Sequence, residues 1–351
     1  MVLPQWHILI RDQQRRQMDE NVWSETFTDA YLSENGEWKP IKIKYRGGHT
    51  REYPKRSYEI VVDGITHHLN AEYDDPSMIR NALSFRFFEL IGVPSPKTRH
   101  CLLKMNNDHL GVYLEIEAVD RRFFKRRNIA AQSLFYAVND NANFGLLDVD
   151  TKKPKKSLFS GYRLKIGGQK DRERFETFVR KINVLKKEKI GKYLSSRLDT
   201  DNYLRWLAGA VLTGNYDGFD QNYAIYRHKP TGLYRIIPWD YEGTWGRNCY
   251  GKNCGSNLVR VKGYNRLTEK LLSAPDNLRK YKRILTEILD HTFTEKVLMP
   301  VVWQMHSGIA PYIYRDRTRK WPFPLFVGEP HFIRNYIRER RAIVLSEISR
   351  W

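Results

Sequence analysis

Along this chain the spacing of apolar residues switches between a period of two and a period near 3.6, and the switches mark out the elements. In the N-terminal third the period is two. Residues 38–46 alternate through Ile41, Ile43 and Tyr45, residues 55–62 through Tyr58 and Ile60, and residues 111–116 alternate again. These runs predict half-buried strands, and Gly47-Gly48 between the first two allows a tight bend. With a helix predicted over 79–90, the region reads as a small sheet with one helix.

Helical spacing then takes over. Phe175, Phe178, Ile182, Leu185 and Ile190 space as one buried stripe, with Lys181, Lys186, Lys187 and Lys189 on the solvated face. Residues 202–212 have the apolar density of a buried helix, stopped by Gly214 and Asn215. Period two returns in 223–228 and 233–237, around the turn sequence Lys229-Pro230-Thr231-Gly232, which predicts a hairpin. Further helices are predicted over 267–272, 277–293 and 331–349, the last with Phe332, Tyr336, Ile343 and Ile348 as its stripe. Residues 312–330, rich in proline and aromatics, read as an irregular connection. The Gly-, Asn- and Cys-containing stretch 246–263 reads as a mobile segment placed to contact a protein substrate.

The candidate chemistry sits between the buried helix and the hairpin. Asp217 and Asn222 form D-x-x-x-x-N, and the hairpin ends in Pro238-Trp239-Asp240. The order helix, loop, hairpin, Asp is the one in which protein kinases carry a catalytic-base Asp, a metal-binding Asn and a second metal-binding Asp around ATP. A short loop can aim Asp217 at an incoming hydroxyl while Asn222 turns its amide oxygen toward Mg²⁺, and the hairpin returns Asp240 to the same edge. D-x-x-x-x-N alone is a common spacing of turn formers; the flanking helix and hairpin give it weight.

Phosphoryl transfer also needs a cation on the α/β-phosphates, oriented by a carboxylate. Lys55, at the start of the strand after the glycine bend, is the first candidate, with Arg46 a second cation on the same side and Lys165 in Gly161-Tyr162-Arg163-Leu164-Lys165-Ile166 the rival. Glu117 is the candidate orienting acid, ahead of Glu89. Gly47 and Gly48 could bring backbone N–H groups near phosphate. The chain has neither G-x-x-x-x-G-K-[ST] nor G-x-G-x-x-G, so a plain hairpin reading of the glycines stands beside that one.

Residues 215–223 and Ile237-Pro238-Trp239-Asp240-Tyr241-Glu242-Gly243-Thr244-Trp245-Gly246 together resemble the spore coat protein H family of atypical protein kinases. Tyr45-Arg46-Gly47-Gly48-His49 with Pro54-Lys55-Arg56-Ser57-Tyr58 is similar to the family's N-terminal glycine segment. The runs 75–81, 111–120 and 203–209 match in order, so the similarity extends from about 40 to 290. The resemblance implies ATP-dependent phosphorylation of Ser/Thr in other spore coat proteins that are rich in Ser and basic residues, with Asp217 as base and Asp240 as metal ligand, served by Mg²⁺ or Mn²⁺. With the element pattern, it leads to an α+β, atypical protein-kinase-like two-lobed fold: a sheet-rich N-terminal lobe over 1–120 and a mainly helical lobe over 121–351. Synthesis in the mother-cell cytoplasm followed by incorporation into the spore coat is the implied location. AMP transfer by the same fold, and a non-catalytic basic coat scaffold, stay open as alternatives.

Composition adds bounds. The 351 residues are 41% hydrophobic, enough for a sizeable core, and no window approaches the ~18 consecutive apolar residues of a membrane span. Three cysteines, Cys101, Cys249 and Cys254, do not suggest a disulfide scaffold, and Cys249-x-x-x-x-Cys254 lacks the second ligand pair that structural zinc takes. The formal charge is +20, with 16 Lys/Arg against 5 Asp/Glu in residues 151–200. Because those lysines lie on the polar face of a predicted helix rather than among exposed aromatics, the pattern points away from nucleic acid. A chain this basic repels a basic substrate at long range. Asp217, Asp220 and Glu242, with Asp148 and Asp150, are therefore expected to form an acidic strip, with Asp220 pointing outward.

Overall fold

The computed structural model describes residues 2–34 and 36–351. The protein is a mixed α and β chain that divides into two compact units. The first comprises 1–83, 96–118 and 300–331; the second comprises 84–95, 119–299 and 332–351.

In the first unit the alternating runs become strands of a closed barrel. Its strands are β1 (Gln5–Leu9), β2 (Thr28–Glu34), β3 (Glu37–Arg46), β4 (Ser57–Val62), β5 (Ile65–Asn70), β6 (Thr98–Met105) and β7 (Asp108–Glu117). They are ordered β1-β2-β3-β4-β5-β7-β6, and β1 closes the ring by running parallel to β6. Every second residue points inward: Ile41, Ile43 and Tyr45 of β3 meet Tyr58 and Ile60 of β4 and Leu103, Met105 and Tyr113 of the far wall. Helix α1 (Asp12–Glu20) adds Met18 to this core. The small sheet expected from sequence is thus a seven-stranded barrel. Closure removes the exposed edges that an open sheet would present.

Two buried charge clusters tie residues 300–331 to this unit. Arg80 has no exposed surface; its guanidinium donates to Asp75 at 2.5 Å and to Glu329 at 2.6 Å. Lys55 donates to the Val112 carbonyl at 2.7 Å and pairs with Asp316 at 3.3 Å, while the Val112 N–H donates to Asp316 at 2.9 Å. A division at residue 120 therefore omits a segment that supplies counter-charges to the barrel. Those partners lie some 250 residues away in sequence, beyond the reach of pattern reading.

The second unit is built on a four-stranded sheet of β8 (Ala131–Ala137), β9 (Tyr162–Ile166), β10 (Tyr223–His228) and β11 (Tyr234–Pro238), in the order β11-β10-β8-β9. The hairpin falls where the turn sequence places it, with Tyr223 opposite Pro238 and Arg227 opposite Tyr234. Helix α2 is Arg80–Leu90, and α3 (Arg121–Arg126) is capped by Asp120, whose carboxylate accepts from the N–H groups of Arg122 and Phe123. The stripe expected as one helix is two, α4 (Gln169–Val184) and α5 (Lys187–Ser195), because Leu185 turns to extended backbone at the end of α4. Helix α6 (Thr200–Thr213) starts at an Asp199 cap and stops at Gly214, whose φ of 75° is a left-handed turn favouring glycine.

The remaining helices are α7 (Arg266–Leu272), α8 (Pro275–His291), α9 (Glu295–Arg315) and α10 (Phe323–Ile348). The irregular connection expected over 312–330 shrinks to residues 316–322. Pro311 and Pro330 lie inside helices, although proline ordinarily breaks them.

The Arg80 cluster gives a stability prediction. Arg80→Met should leave Asp75 and Glu329 buried without their cation and lower stability by about 3–5 kcal/mol. Denaturant unfolding checks this, and a midpoint equal to wild type would mean that the two carboxylates do not depend on Arg80.

Candidate functional site

The left-handed turn at Gly214 aims the chain out of α6, and one buried side chain then organises the loop beyond it. Asn215, 2% exposed, accepts at Oδ1 from the Gly218 N–H at 3.0 Å and donates from Nδ2 to the Asp240 carbonyl at 3.3 Å. The first bond closes a turn around Asp217. The second fastens that turn to the far end of the hairpin. Gly218 is required here, since a Cβ would lie 2.9 Å from the Asn215 amide.

The hairpin register completes the arrangement. Beyond the Tyr223 and Pro238 pair the strands hold one more contact, from the Trp239 N–H to the Asn222 carbonyl at 3.1 Å. Asn222 and Asp240 thus flank the same end of the sheet. Both have left-handed backbone, φ 58° and 57°, which Asn and Asp tolerate better than most residues. The structure brings Asp217, Asn222 and Asp240 into one loop cluster of the second unit. Among the described residues no group of three or more His, Cys, Asp or Glu side chains is gathered as a metal site. An amide oxygen and a carboxylate are hard donors of the kind Mg²⁺ accepts, and its remaining ligands are usually phosphate oxygens and water.

The other candidates are placed differently. Lys55 has only 3% of its side chain exposed; besides its two hydrogen-bonding partners, its ammonium sits 4.8 Å from the centre of the Tyr113 ring. Burial pushes the Lys55 ammonium down, opposed by the charge of Asp316. Glu117 instead accepts from the Lys97 N–H at 3.1 Å, so the carboxylate orienting Lys55 is Asp316. Arg46 donates to Asn70. Gly47, at φ 110°, precedes a short 3₁₀ turn (His49–Glu52), and its carbonyl accepts from Arg51 at 2.8 Å; Gly48 borders open space.

Lys165 is exposed on β9, in the same unit as the loop cluster. Its ammonium is 5.7 Å from the Tyr136 ring centre, and Tyr136 packs edge-on to Trp239, next to Asp240, at 5.4 Å.

Asp220 does not point outward. It is half-buried, one of its oxygens has no hydrogen-bond partner among the described residues, and its carboxyl is pushed up to about 6 by burial and by Asp140 against the pull of Lys155. Burial pushes Lys155 down to about 8, and its ammonium donates to the Asn143 side chain at 2.9 Å. This removes Asp220 from the expected acidic strip. The segment expected to be mobile begins with a tight hydrogen-bonded hairpin: Arg247 bridges Asn253, the Asn248 N–H donates to the Lys252 carbonyl at 3.0 Å, and the Cys254 N–H donates to Gly246 at 2.9 Å.

In the sequence Asn215 reads only as a helix stop, and nothing singles out Asp316. For Asn215 a signal exists, since an Asn two residues before the candidate base can close a turn around it. Asp316 carries none.

Comparisons with known proteins agree with the sequence resemblance. The chain is 38% identical to inner spore coat protein H of Bacillus subtilis strain 168, over 99% of this chain and 98% of that protein. It is 25% identical to an inner spore coat protein H-like protein of the same strain, over 84% of this chain and 86% of the relative. Among solved structures, the Helicobacter pylori proinflammatory kinase CtkA aligns over 82% of this chain and 90% of its own at 12% identity and a TM-score of 0.33. The HipA–HipB toxin–antitoxin system of Shewanella oneidensis MR-1 aligns over 99% and 73% at 12% identity and a TM-score of 0.39. The CotH kinase protein family matches residues 43–344, and the chain belongs to that family.

Proposed function

We propose that the protein is an ATP- and Mg²⁺-dependent kinase that phosphorylates Ser or Thr of other spore coat proteins and is itself incorporated into the coat. The observation that carries this reading is the meeting of Asp217, Asn222 and Asp240 at one end of the β10–β11 hairpin, fastened by Asn215. The coat location and coat substrates rest on the similarity to inner spore coat protein H.

In this reading Asp217 takes the proton of the acceptor hydroxyl, and the fixed turn holds its carboxylate where that hydroxyl arrives. The Asn222 amide oxygen and the Asp240 carboxylate would hold Mg²⁺ or Mn²⁺. The metal, when bound, supplies charge neutralisation for the transferred phosphoryl group. Lys165 supplies the second positive charge. Lys165 is an exposed residue on the Tyr136 and Trp239 side of the sheet, and Lys55 is a buried one held by Asp316 and Val112.

Incubation with γ-labelled ATP, Mg²⁺ or Mn²⁺ and a Ser-rich basic coat protein is the direct test. A mass gain of ~80 Da per site supports the reading and one of ~329 Da indicates AMP transfer, as the transferred groups require. Asp217→Asn should cut turnover ~10²-fold or more with nucleotide binding retained. Asp240→Ala should remove the Mg²⁺ dependence of nucleotide binding. Turnover near wild type in the first, or unchanged Mg²⁺-linked affinity in the second, removes that residue from its role.

The amide clamp gives a separate expectation. Asn215→Asp keeps the acceptor for Gly218 but sets a carboxylate oxygen against the Asp240 carbonyl. The kcat should fall ~10-fold or more through misplacement of the loop, and initial-rate kinetics would expose a clamp without consequence. For the cations, Lys165→Ala should raise KM for ATP and leave the melting temperature in place. Lys55→Ala should lower the melting temperature by stranding Asp316. The reverse pattern in paired thermal and kinetic measurements returns the phosphate role to Lys55.

A further inference from the structure

The outward side of the barrel wall and one face of α9 bound a cavity of about 1010 Å³, lined wholly by residues of the first unit. In β1 and β6 alternate residues fill the barrel, among them Trp6, Ile8, Cys101 and Leu103, so Gln5, His7, Thr98 and His100 face out and line the cavity. Helix α9 supplies Gln304, Met305, Gly308 and Ile309, which at spacings of one and four share one side. Glycine inside a helix weakens it relative to alanine. No neighbour demands one at this point of α9, because a Cβ on Gly308 would meet nothing within 4 Å, and the missing side chain keeps the cavity open. The volume matches the upper end of the ~300–1,000 Å³ of small-molecule sites.

The lining is largely apolar, through Leu3, Trp38, Met305 and Ile309, with a few polar groups set into it. The His7 and Trp38 rings meet edge to face at 5.0 Å and make one aromatic wall. His7 and His100 each donate from Nε2 to a carbonyl, that of Asn106 at 2.9 Å and that of Met78 at 2.7 Å, which fixes a proton on Nε2 and leaves Nδ1 without a partner among the described residues. Burial pushes the His100 imidazolium down, so its Nδ1 is an acceptor at neutral pH. Gln5 and Gln304, both exposed, add amide donors and acceptors. The Arg99 guanidinium is countered by Glu34 at 3.1 Å and Glu115 at 2.8 Å. Among the described residues the lining therefore has no unpaired Lys or Arg for an anion and no carboxylate for a cation.

We propose that this cavity binds an uncharged small ligand that carries an aromatic ring together with amide or hydroxyl donors. The ring packs on Trp38 and the apolar side of α9, and the donors reach the imidazole nitrogens and the glutamine amides. A charged ligand would shed its hydration here without gaining a counter-charge. The site uses none of Asp217, Asn222 and Asp240 and does not depend on the kinase reading.

The probe is N-acetyl-tyrosinamide, which has the ring, the donors and no charge, followed on the full chain by saturation-transfer NMR and isothermal titration. Binding with a Kd on the order of 1 mM or tighter is expected, and ATP should not displace it. N-acetyl-tyrosine, alike but for its carboxylate, should bind about tenfold more weakly. Gly308→Leu fills the cavity and improves the helix, so it should weaken binding about tenfold or more while the melting temperature stays at or above that of the wild type. Trp38→Leu, at an exposed residue outside the barrel core, should weaken binding about fivefold, and it decides the matter if Gly308→Leu fails to fold. No binding at ~10 mM probe, equal affinity for the carboxylate analogue, displacement by ATP, or wild-type affinity in a folded variant would each overturn the site.

Discussion

A single buried amide, that of Asn215, joins the loop carrying Asp217 to the end of the hairpin carrying Asp240, 25 residues further on. An amide suits the position because it offers an acceptor and a donor on one rigid plane, and each is used, one toward Gly218 and one toward Asp240. Hydrophobic burial could hold the two segments close but could not set their register. An unmet amide at this depth would cost about 1–3 kcal/mol, so the two hydrogen bonds form together or the loop rearranges. The backbones of Asn222 and Asp240 at this end of the hairpin are left-handed. Each costs of order 1 kcal/mol relative to an ordinary conformation, and the strain falls on the two residues proposed to face the metal.

The first unit handles charge in the opposite way. Asp75, Glu329 and Asp316 are buried, and each is paired with a cation inside the unit, Arg80 or Lys55. These pairs pin the 300–331 segment against the barrel. Burial would raise the Asp316 carboxyl. The Lys55 charge and donors from Thr318 and Val112 outweigh that effect and hold it below the usual carboxylate range. A lysine that looks from its strand position like a free phosphate ligand is here held in an internal ion pair. In a chain of net charge +20, location in the fold separates the two roles, and residue type does not.

What can be read in the sequence is what short-range rules decide. The β10–β11 hairpin follows from alternation and a turn sequence, and the end of α6 from Gly214 and Asn215. The meeting of Asn222 and Asp240 comes in turn from the hairpin register. Strands with weaker or shorter alternation, such as β1, β5 and β6, carry too little local signal to assign, because barrel closure, a long-range event, is what stabilises them. The same limit hides Asp316 and Glu329. The prolines of α9 and α10 mislead for another reason: a proline removes one donor and crowds one carbonyl, and a long, well-packed helix can absorb that local loss.

The acidic strip shows why a charge count misjudges a surface. Asp220 and Lys155 influence one another in a half-buried setting where burial drives both toward neutrality, the acid up to about 6 and the amine down to about 8. Lys155 belongs to the basic run that looks solvated in sequence, yet its ammonium is taken up by the Asn143 side chain. Asp148 is likewise engaged, accepting from the N–H and hydroxyl of Thr151 and from Asn141. Asp150 remains exposed. A basic partner approaching the loop would therefore meet fewer free acids, and fewer repelling lysines, than composition implies. Its recognition then depends on the few charges the fold leaves outside, and the internal pairs drop out of the long-range field.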